Sequence, residues 1–212
     1  MYNIALYIAL IAGALPLVSL FAKRRSVDLQ MAPLFFIWAT GIASLYEWVG
    51  SVILNVNSSI WFQVYCIMEL LAIPHCFKLL LSGRFTSYFN TAWIILLLVY
   101  LMSLVVLYHY PDMSLVANTM NKIALTLFVI IGTLLWFYKL FADSSMPDLW
   151  RHADFYFVAG FFIYYCSTFF LFLLAYLIND TVDFKSFWIV NVLATIFFRL
   201  LMTVGVWQMK RA

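Results

Sequence analysis

Glu47, Glu69 and Arg199 are ionisable residues that lie inside long apolar stretches of the chain. A charge at the centre of a membrane-spanning helix costs roughly 2.5–3.5 kcal/mol, so such residues face a polar interior and find partners. Glu47 and Glu69 lie at similar distances from the ends of their stretches, so we expect them to face one another at one depth. Two neighbouring carboxylates do not both ionise easily, which suits a site that binds a cation or holds a proton.

Other polar residues accompany these charges at helical spacing. Asn191, Thr195 and Arg199 recur every four residues and so form one stripe on a helix. One hypothesis is a cavity that binds a small solute, in which one glutamate serves both the solute and a proton. The residues that would line this cavity are Glu47, Tyr65, Glu69, Asn191 and Arg199. The alternative is a structural pair in which Glu69 and Arg199 neutralise one another.

His75 is a further candidate for binding a ligand or a proton, and it follows Pro74 within an apolar stretch. Proline removes one backbone hydrogen bond and bends a helix at that point. The alternative is a hydrogen-bonded core histidine that binds no ligand. His109 and His152 fall near the ends of apolar stretches, so the sequence predicts no histidine pair for haem or for a metal.

No catalytic motif accompanies these residues. The sequence contains no HExxH zinc motif, no GxSxG nucleophile with a partner histidine and no glycine-rich phosphate loop. A retinal protein of the microbial type is excluded as well, because the last apolar stretch offers Arg199 where a Schiff base needs a lysine. We therefore predict no enzyme activity, no catalytic residue, no cofactor and no metal site.

The stretches that hold these residues are long enough to span a membrane. The chain of 212 residues is 67% hydrophobic and 10% charged, whereas soluble domains are about 45–50% apolar and about 25% charged. One span needs about 20 apolar residues. Runs of about this length occur at 2–22, 31–54, 60–81, 91–109, 121–142, 153–178 and 185–208. The predicted fold is therefore all-α, a polytopic membrane protein with seven transmembrane helices.

The distribution of Lys and Arg predicts the orientation of these helices, because cytoplasmic loops carry an excess of basic residues. Nine basic residues fall on the side of the first, third and fifth loops and the C-terminus. The other side holds only Lys122 and Lys185. This asymmetry predicts an N-terminus outside, a C-terminus in the cytoplasm and a location in the cell (inner) membrane.

Two segments of the chain are similar to each other, which predicts an internal duplication. Both contain Ile-Ala-Leu, at Ile4 and Ile123, and Gly13 corresponds to Gly132. The predicted plan is 3+1+3, in a single membrane domain. The first three-helix repeat covers 1–90, the connector helix 91–116 and the second repeat 117–212. Since one connector helix separates them, the repeats run in parallel, and parallel repeats place a binding site between the halves near the middle of the bilayer.

This 3+1+3 plan resembles that of the PQ-loop and sugar-efflux (SWEET) transporters, a likeness that implies two parallel triple-helix bundles. The Pro-Gln motif of that family is absent, since Leu17 follows Pro16 and the second repeat has Leu135 and Trp136 there. The chain also resembles small seven-helix bacterial membrane proteins to which no activity is assigned. That second likeness lies in an asparagine-rich turn and a Tyr-xxx-Glu pattern. Its residues are Asn55, Asn57, Tyr65 and Glu69.

Two functions fit these features. The first is a carrier that binds or transports a small solute at a buried polar site between the repeats, with proton coupling. The second is a seven-helix receptor, sensor or accessory subunit that acts through a partner protein. We expect the lipid bilayer as the environment, a small molecule or cation as ligand, and either a homo-oligomer or a membrane or signalling partner. The net charge of +3 is small, and we expect no nucleic-acid partner.

Overall fold

A computed structural model describes residues 2–23, 33–54, 58–81, 85–142, 148–178 and 184–209. Within these ranges the chain is all-helical, with seven α-helices and no strand. The helices are α1 (Tyr2–Lys23), α2 (Leu34–Glu47), α3 (Ser58–Leu80), α4 (Thr86–His109), α5 (Ser114–Ala142), α6 (Ala153–Ile178) and α7 (Phe184–Gln208). The predicted all-α fold with seven helices is thereby confirmed for this part of the chain.

Six of these helices are long and apolar enough to cross a membrane, by length and composition. The exception is α2, which has 14 residues and continues directly into a π-helical turn, Trp48–Ile53. Helix and turn together supply the roughly 20 residues that one span needs. Large apolar side chains such as Ile11, Met102 and Phe170 point outward and are between 60% and 68% exposed. An outer surface of this kind suits lipid rather than water.

The helices pack as a ring of six with one helix outside it. α1 packs on α2, α2 on α3, α3 on α5, α5 on α6 and α6 on α7, and α7 closes the ring on α1. α4 lies outside this ring, against α3 and α5. The backbones of the two predicted halves therefore pack against each other at two places, an α3–α5 seam and an α1–α7 seam.

An aromatic cluster of four phenylalanines fills part of the interior of this ring. Phe36 of α2 lies 4.8 Å from Phe161 of α6 and 5.7 Å from Phe198 of α7, measured between ring centroids. Phe77 of α3 lies 5.9 Å from Phe161. All four rings are buried, and each such pair contributes about 0.5–1.5 kcal/mol beyond its burial. The aromatic cluster closes the interior about two helical turns beyond Glu69 on α3.

Two lysines close the ends of α3 and α7, where the last carbonyl groups of a helix have no partner within the helix. Lys23, at the end of α1, donates from Nζ to the carbonyl oxygens of Trp207 and, at 3.4 Å, of Met209. Lys139 of α5 donates to the carbonyl oxygen of Leu80 at 3.2 Å. A cation also interacts favourably with the negative end of a helix dipole. Each seam thus carries one lysine cap, in which α1 holds the end of α7 and α5 holds the end of α3.

Gly13 allows α1 to approach its neighbours closely. A Cβ atom built there would lie 2.7 Å from Ser44 Cβ, closer still to Ser44 Oγ, and 2.8 Å from Nη1 of Arg199. Gly132, the corresponding residue of the predicted repeat, meets Phe77 in a similar way, at 2.9 Å. Real Cβ atoms essentially never approach other atoms this closely. Both positions therefore need a residue without a side chain for reasons of packing.

Replacing Gly13 by alanine is expected to lower the free energy of unfolding by about 1–3 kcal/mol, because an extra methyl group in a packed interior forces neighbours to move. The measurement is unfolding of the purified protein in a non-ionic detergent, followed by circular dichroism. The matched test adds Ser44→Gly, which removes the two Ser44 atoms that the new methyl group meets and leaves only the end of the Arg199 side chain to adjust. Strictly additive effects of the two substitutions would contradict this assignment, since contacting residues couple.

Candidate functional site

An ion pair between Glu69 and Lys122 lies at the α3–α5 seam. Nζ of Lys122 donates to Oε2 of Glu69. The Lys122 side chain is 11% exposed and that of Glu69 only 3%, so both charges are almost fully removed from solvent and lipid. The cost of burying Glu69, which the sequence indicated, is thus offset by a cation from the other predicted half.

Four aromatic rings surround the ammonium group of Lys122. Its Nζ lies 5.2 Å from the ring centroid of Tyr65, 5.5 Å from those of Tyr165 and Phe172, and 5.9 Å from that of Tyr164. All four distances fall within the range of about 6 Å over which a ring attracts a cation. Tyr65 comes from α3 and the other three rings from α6. We call the ion pair with these four rings the polar centre.

The sequence did not identify Lys122 as a site residue, because the predicted fifth span began at Asn121. In the structure α5 begins at Ser114, about two turns earlier, so Lys122 lies inside the bundle and not in an outer loop. Two of the polar residues before Lys122 bond to neighbouring helices. Asn118 accepts from Gln63 at 3.0 Å, and Asn121 donates to Ser103 at 2.8 Å. In the local sequence, a lysine among polar residues looks the same whether it lies in a loop or at a contact between two helices.

Arg199 takes a different role from the one expected. It is 7% exposed, and its guanidinium donates through Nη1 to the backbone carbonyl oxygen of Ala9. The expected structural pair of Glu69 with Arg199 is therefore not the pair that the structure contains. The physical reason is that Lys122 supplies a nearer cation to Glu69, which leaves Arg199 to bind α1 across the other seam.

Glu47 and Tyr65 connect the polar centre with Arg199. Glu47 is the last residue of α2 before the π-helical turn, and it is half-buried with Arg199 as its interacting charge. Tyr65 is close enough to interact with the charges of Glu69, Glu47 and Arg199. The two glutamates, expected to face one another, thus interact with different basic residues, and Tyr65 interacts electrostatically with both glutamates.

Tyr164 joins the polar centre to the polar stripe of α7. Its ring stacks on Phe198 with centroids 5.0 Å apart and 21° between the planes, and its hydroxyl group interacts with Thr195. Thr195 in turn donates to the backbone carbonyl of Asn191 at 2.7 Å. Asn191 is half-buried, and its side-chain oxygen has no hydrogen-bond partner among the described residues. Asn191 therefore lies about two turns from Arg199 along α7, at the edge of the group.

His75 is the one sequence-derived candidate that the structure does not bring to this group. Its side chain is exposed on the outside of the bundle, and its ring meets Phe35 edge-on with centroids 6.2 Å apart. Along α3 it lies six residues beyond Glu69, which places it on a different face of the helix. The structure thus gathers Glu47, Tyr65, Glu69 and Arg199, with Asn191 at the margin.

The arrangement is suited to binding a charged or zwitterionic group. It combines two carboxylates with two basic residues, so its formal charge is balanced when all four are ionised. The buried aromatic faces attract a cation, and the carboxylate of Glu69 provides a hydrogen-bond acceptor for it. An incoming group that competes for Glu69 or Lys122 would have to separate the pair.

Comparison with known proteins adds no relative to this description. No family model matches the chain, and no curated protein and no solved structure is significantly similar to it. The site is therefore described from its own geometry.

Replacing either partner of the buried pair is expected to be strongly destabilising, whereas replacing both is not. Glu69→Gln or Lys122→Met alone leaves one buried charge without its counter-charge, and we expect each to lower the free energy of unfolding by about 3–5 kcal/mol. The double variant is expected to recover most of that loss. Unfolding in detergent measures all three variants.

The control for this double-mutant cycle is the exposed pair of Asp148 and Arg151, whose charged atoms lie 3.4 Å apart. Asp148→Asn should change stability by less than about 1 kcal/mol, as is usual for surface pairs. Equal, additive losses for Glu69→Gln and Lys122→Met would contradict a direct pair.

Proposed function

We propose that this chain is a carrier of the cell (inner) membrane that binds a small polar solute at the polar centre and moves it across the bilayer. The observation that carries the proposal is the buried Glu69–Lys122 pair at the α3–α5 seam. A buried pair is weak support for stability, because desolvation offsets most of its attraction. Ionisable residues within membrane-spanning helices are, by default, candidates for a solute or ion pathway.

The contacts between helices support a plan of two parallel halves joined by α4. Under this plan α1, α2 and α3 correspond to α5, α6 and α7. Each contact then has a counterpart, namely α1–α2 with α5–α6, α2–α3 with α6–α7, and α3–α5 with α1–α7. Parallel repeats place solute sites between their halves. Both buried basic side chains, Lys122 and Arg199, act across such a seam.

The position of Lys122 also supports the proposed orientation, with the N-terminus outside and the C-terminus in the cytoplasm. Lys122 is part of α5 and pairs within the bundle, so it no longer counts as a basic residue of an outer loop. Lys185 then remains as the one basic residue assigned to the outer side, against nine on the cytoplasmic side. This stronger asymmetry favours the same orientation.

The aromatic cluster and the two lysine caps suggest how a solute path to one side of the membrane is kept closed. In the proposed orientation the aromatic cluster and the two lysine caps lie on the cytoplasmic side of the polar centre. Release of a solute to the cytoplasm requires the ends of α3 and α7 to move away from α5 and α1. The hydrogen bonds of Lys23 and Lys139 hold those ends and are the bonds that would break.

Glu47 is the residue that we assign to proton exchange. It is half-buried, whereas Glu69 is buried and committed to Lys122. The π-helical turn that begins at the next residue is a feature often found at functional sites. If Glu47 exchanges its proton, the charge of the group changes while the Glu69–Lys122 pair stays intact.

The test is transport by the purified protein in proteoliposomes, with a panel of labelled amino acids, methylated amines, sugars and organic acids, under an imposed pH gradient. We expect accumulation of at least one solute class above protein-free liposomes. Glu69→Gln and Lys122→Met should each reduce it at least tenfold, because each removes a group that contacts the solute. Asp148→Asn, at the exposed pair, is the matched control and should transport normally.

Two outcomes would contradict a carrier. One is a wild-type protein that accumulates no solute of the panel under a pH gradient of either direction. The other is transport that Glu69→Gln and Lys122→Met leave unchanged although both variants remain folded. A protein that binds a solute without moving it, and that is recovered with a second membrane protein, would instead support a receptor or accessory subunit.

A further inference from the structure

The surroundings of Lys122 are those of a recognition site for an ammonium ion. Four aromatic rings and one carboxylate converge on its Nζ atom. An ion pair needs only the carboxylate, whereas several aromatic rings around one ammonium group are the arrangement by which proteins recognise ammonium ligands. Four such contacts at a single atom therefore describe a cage for a cation, one that the side chain of Lys122 occupies.

Charge balance limits what could replace Lys122 in this cage. The group contains two acidic residues, Glu69 and Glu47, and two basic residues, Lys122 and Arg199. A simple cation would add one positive charge to a buried site and would leave the displaced ammonium of Lys122 unpaired, which is costly. A zwitterion adds no net charge, because its anionic group can pair with the displaced lysine.

Tyr165 supplies the second observation that points to a ligand. Its side chain is 1% exposed, and its hydroxyl lies close enough to interact with Glu69. That hydroxyl nevertheless makes no hydrogen bond of normal geometry within the described part of the chain. A buried polar atom without a bond costs free energy. Tyr165 is thus positioned to bond to Glu69, or to a ligand beside it, once the ammonium of Lys122 moves away.

We propose that the solute is a small zwitterion in which an ammonium group, primary or methylated, is joined by a short spacer to a carboxylate or phosphate. Its ammonium takes the position of the Lys122 ammonium between Glu69 and the four rings, and its anionic group pairs with Lys122. This rests on the proposed function, because it assigns the solute to the same polar centre. Lys122 then acts as a tethered substitute that keeps the cage filled between binding events.

Binding is tested by isothermal titration of the full chain in dodecyl maltoside, a detergent without a zwitterionic head group. The probes are glycine betaine and alanine as free zwitterions, glycerophosphocholine as the head group of a lipid, choline as the cation alone and acetate as the anion alone. We expect saturable binding of at least one zwitterion and binding at least tenfold weaker for choline and acetate. The tightest of the three zwitterions identifies the source, a free solute or a lipid head group.

Variants of α6 test whether the rings form the binding cage. Phe172→Leu removes one ring, and loss of one cation–ring contact should weaken binding of the zwitterion roughly two- to thirtyfold. Phe170→Leu is the matched control, because Phe170 is 66% exposed on the same helix, and it should bind normally. Equal affinities of the two variants would overturn the cage.

A second variant keeps the proposal testable if changes to the rings disturb folding. Lys122→Ala shortens the tethered substitute and leaves Glu69 unpaired, so its melting temperature should fall. Millimolar n-propylammonium, which replaces the missing part of the side chain, should raise it again, whereas n-propanol should not. Absence of this rescue, no binding of any zwitterion, or equal binding of choline and betaine would each overturn the proposal.

The two proposals fail in different ways. Betaine or alanine that binds at the polar centre but is never transported would contradict the carrier and leave the zwitterion site in place. Transport of a sugar or a simple organic acid, with no binding of any zwitterion, would support the carrier and contradict the zwitterion site.

Discussion

The requirement that a charge buried within the membrane be neutralised explains much of this structure. Glu69 of α3 has its counter-charge on Lys122 of α5, so the two helices must meet at that depth and in that rotation. With Lys122 held there, the first two turns of α5 lie inside the bundle, where Asn118 and Asn121 bond to α3 and α4. This interaction therefore helps to fix how α3 and α5 meet, alongside the bonds of Asn118 and Asn121.

The packing around the ion pair also provides a partner for the other buried cation and room for its side chain. Arg199 binds the carbonyl oxygen of Ala9 across the second seam, and the close approach that this involves is possible because Gly13 has no side chain. Aromatic rings perform two separate tasks. Those of the aromatic cluster contact one another and close the interior, whereas those of the polar centre face the cation. The ion pair is consequently polar, and aromatic ring faces surround its cation.

Much of the helical framework could be predicted from the sequence, because continuous apolar runs of spanning length and their polar boundaries are local signals. Glu69 could be identified as a costly charge for the same reason. Its partner could not, because Lys122 lies 53 residues away in sequence and is preceded by polar residues typical of a loop. His75 is the opposite case, a candidate that lies outside the site. A histidine beside Pro74 in a membrane span can point into the bundle or away from it, and the sequence does not distinguish the two. The repeat and the orientation remain predictions.

The lysine caps have a consequence for how the protein is made. Lys23 belongs to the first helix, whereas the carbonyl groups that it binds lie at the end of the last one, 184 residues later for Trp207. Arg199 and Ala9 are similarly separated, by 190 residues. Nearly the whole chain must therefore be synthesised and inserted before the α1–α7 seam can form. Until then the lysine cap on α7 is absent, and the first and last helices are not yet held together by it.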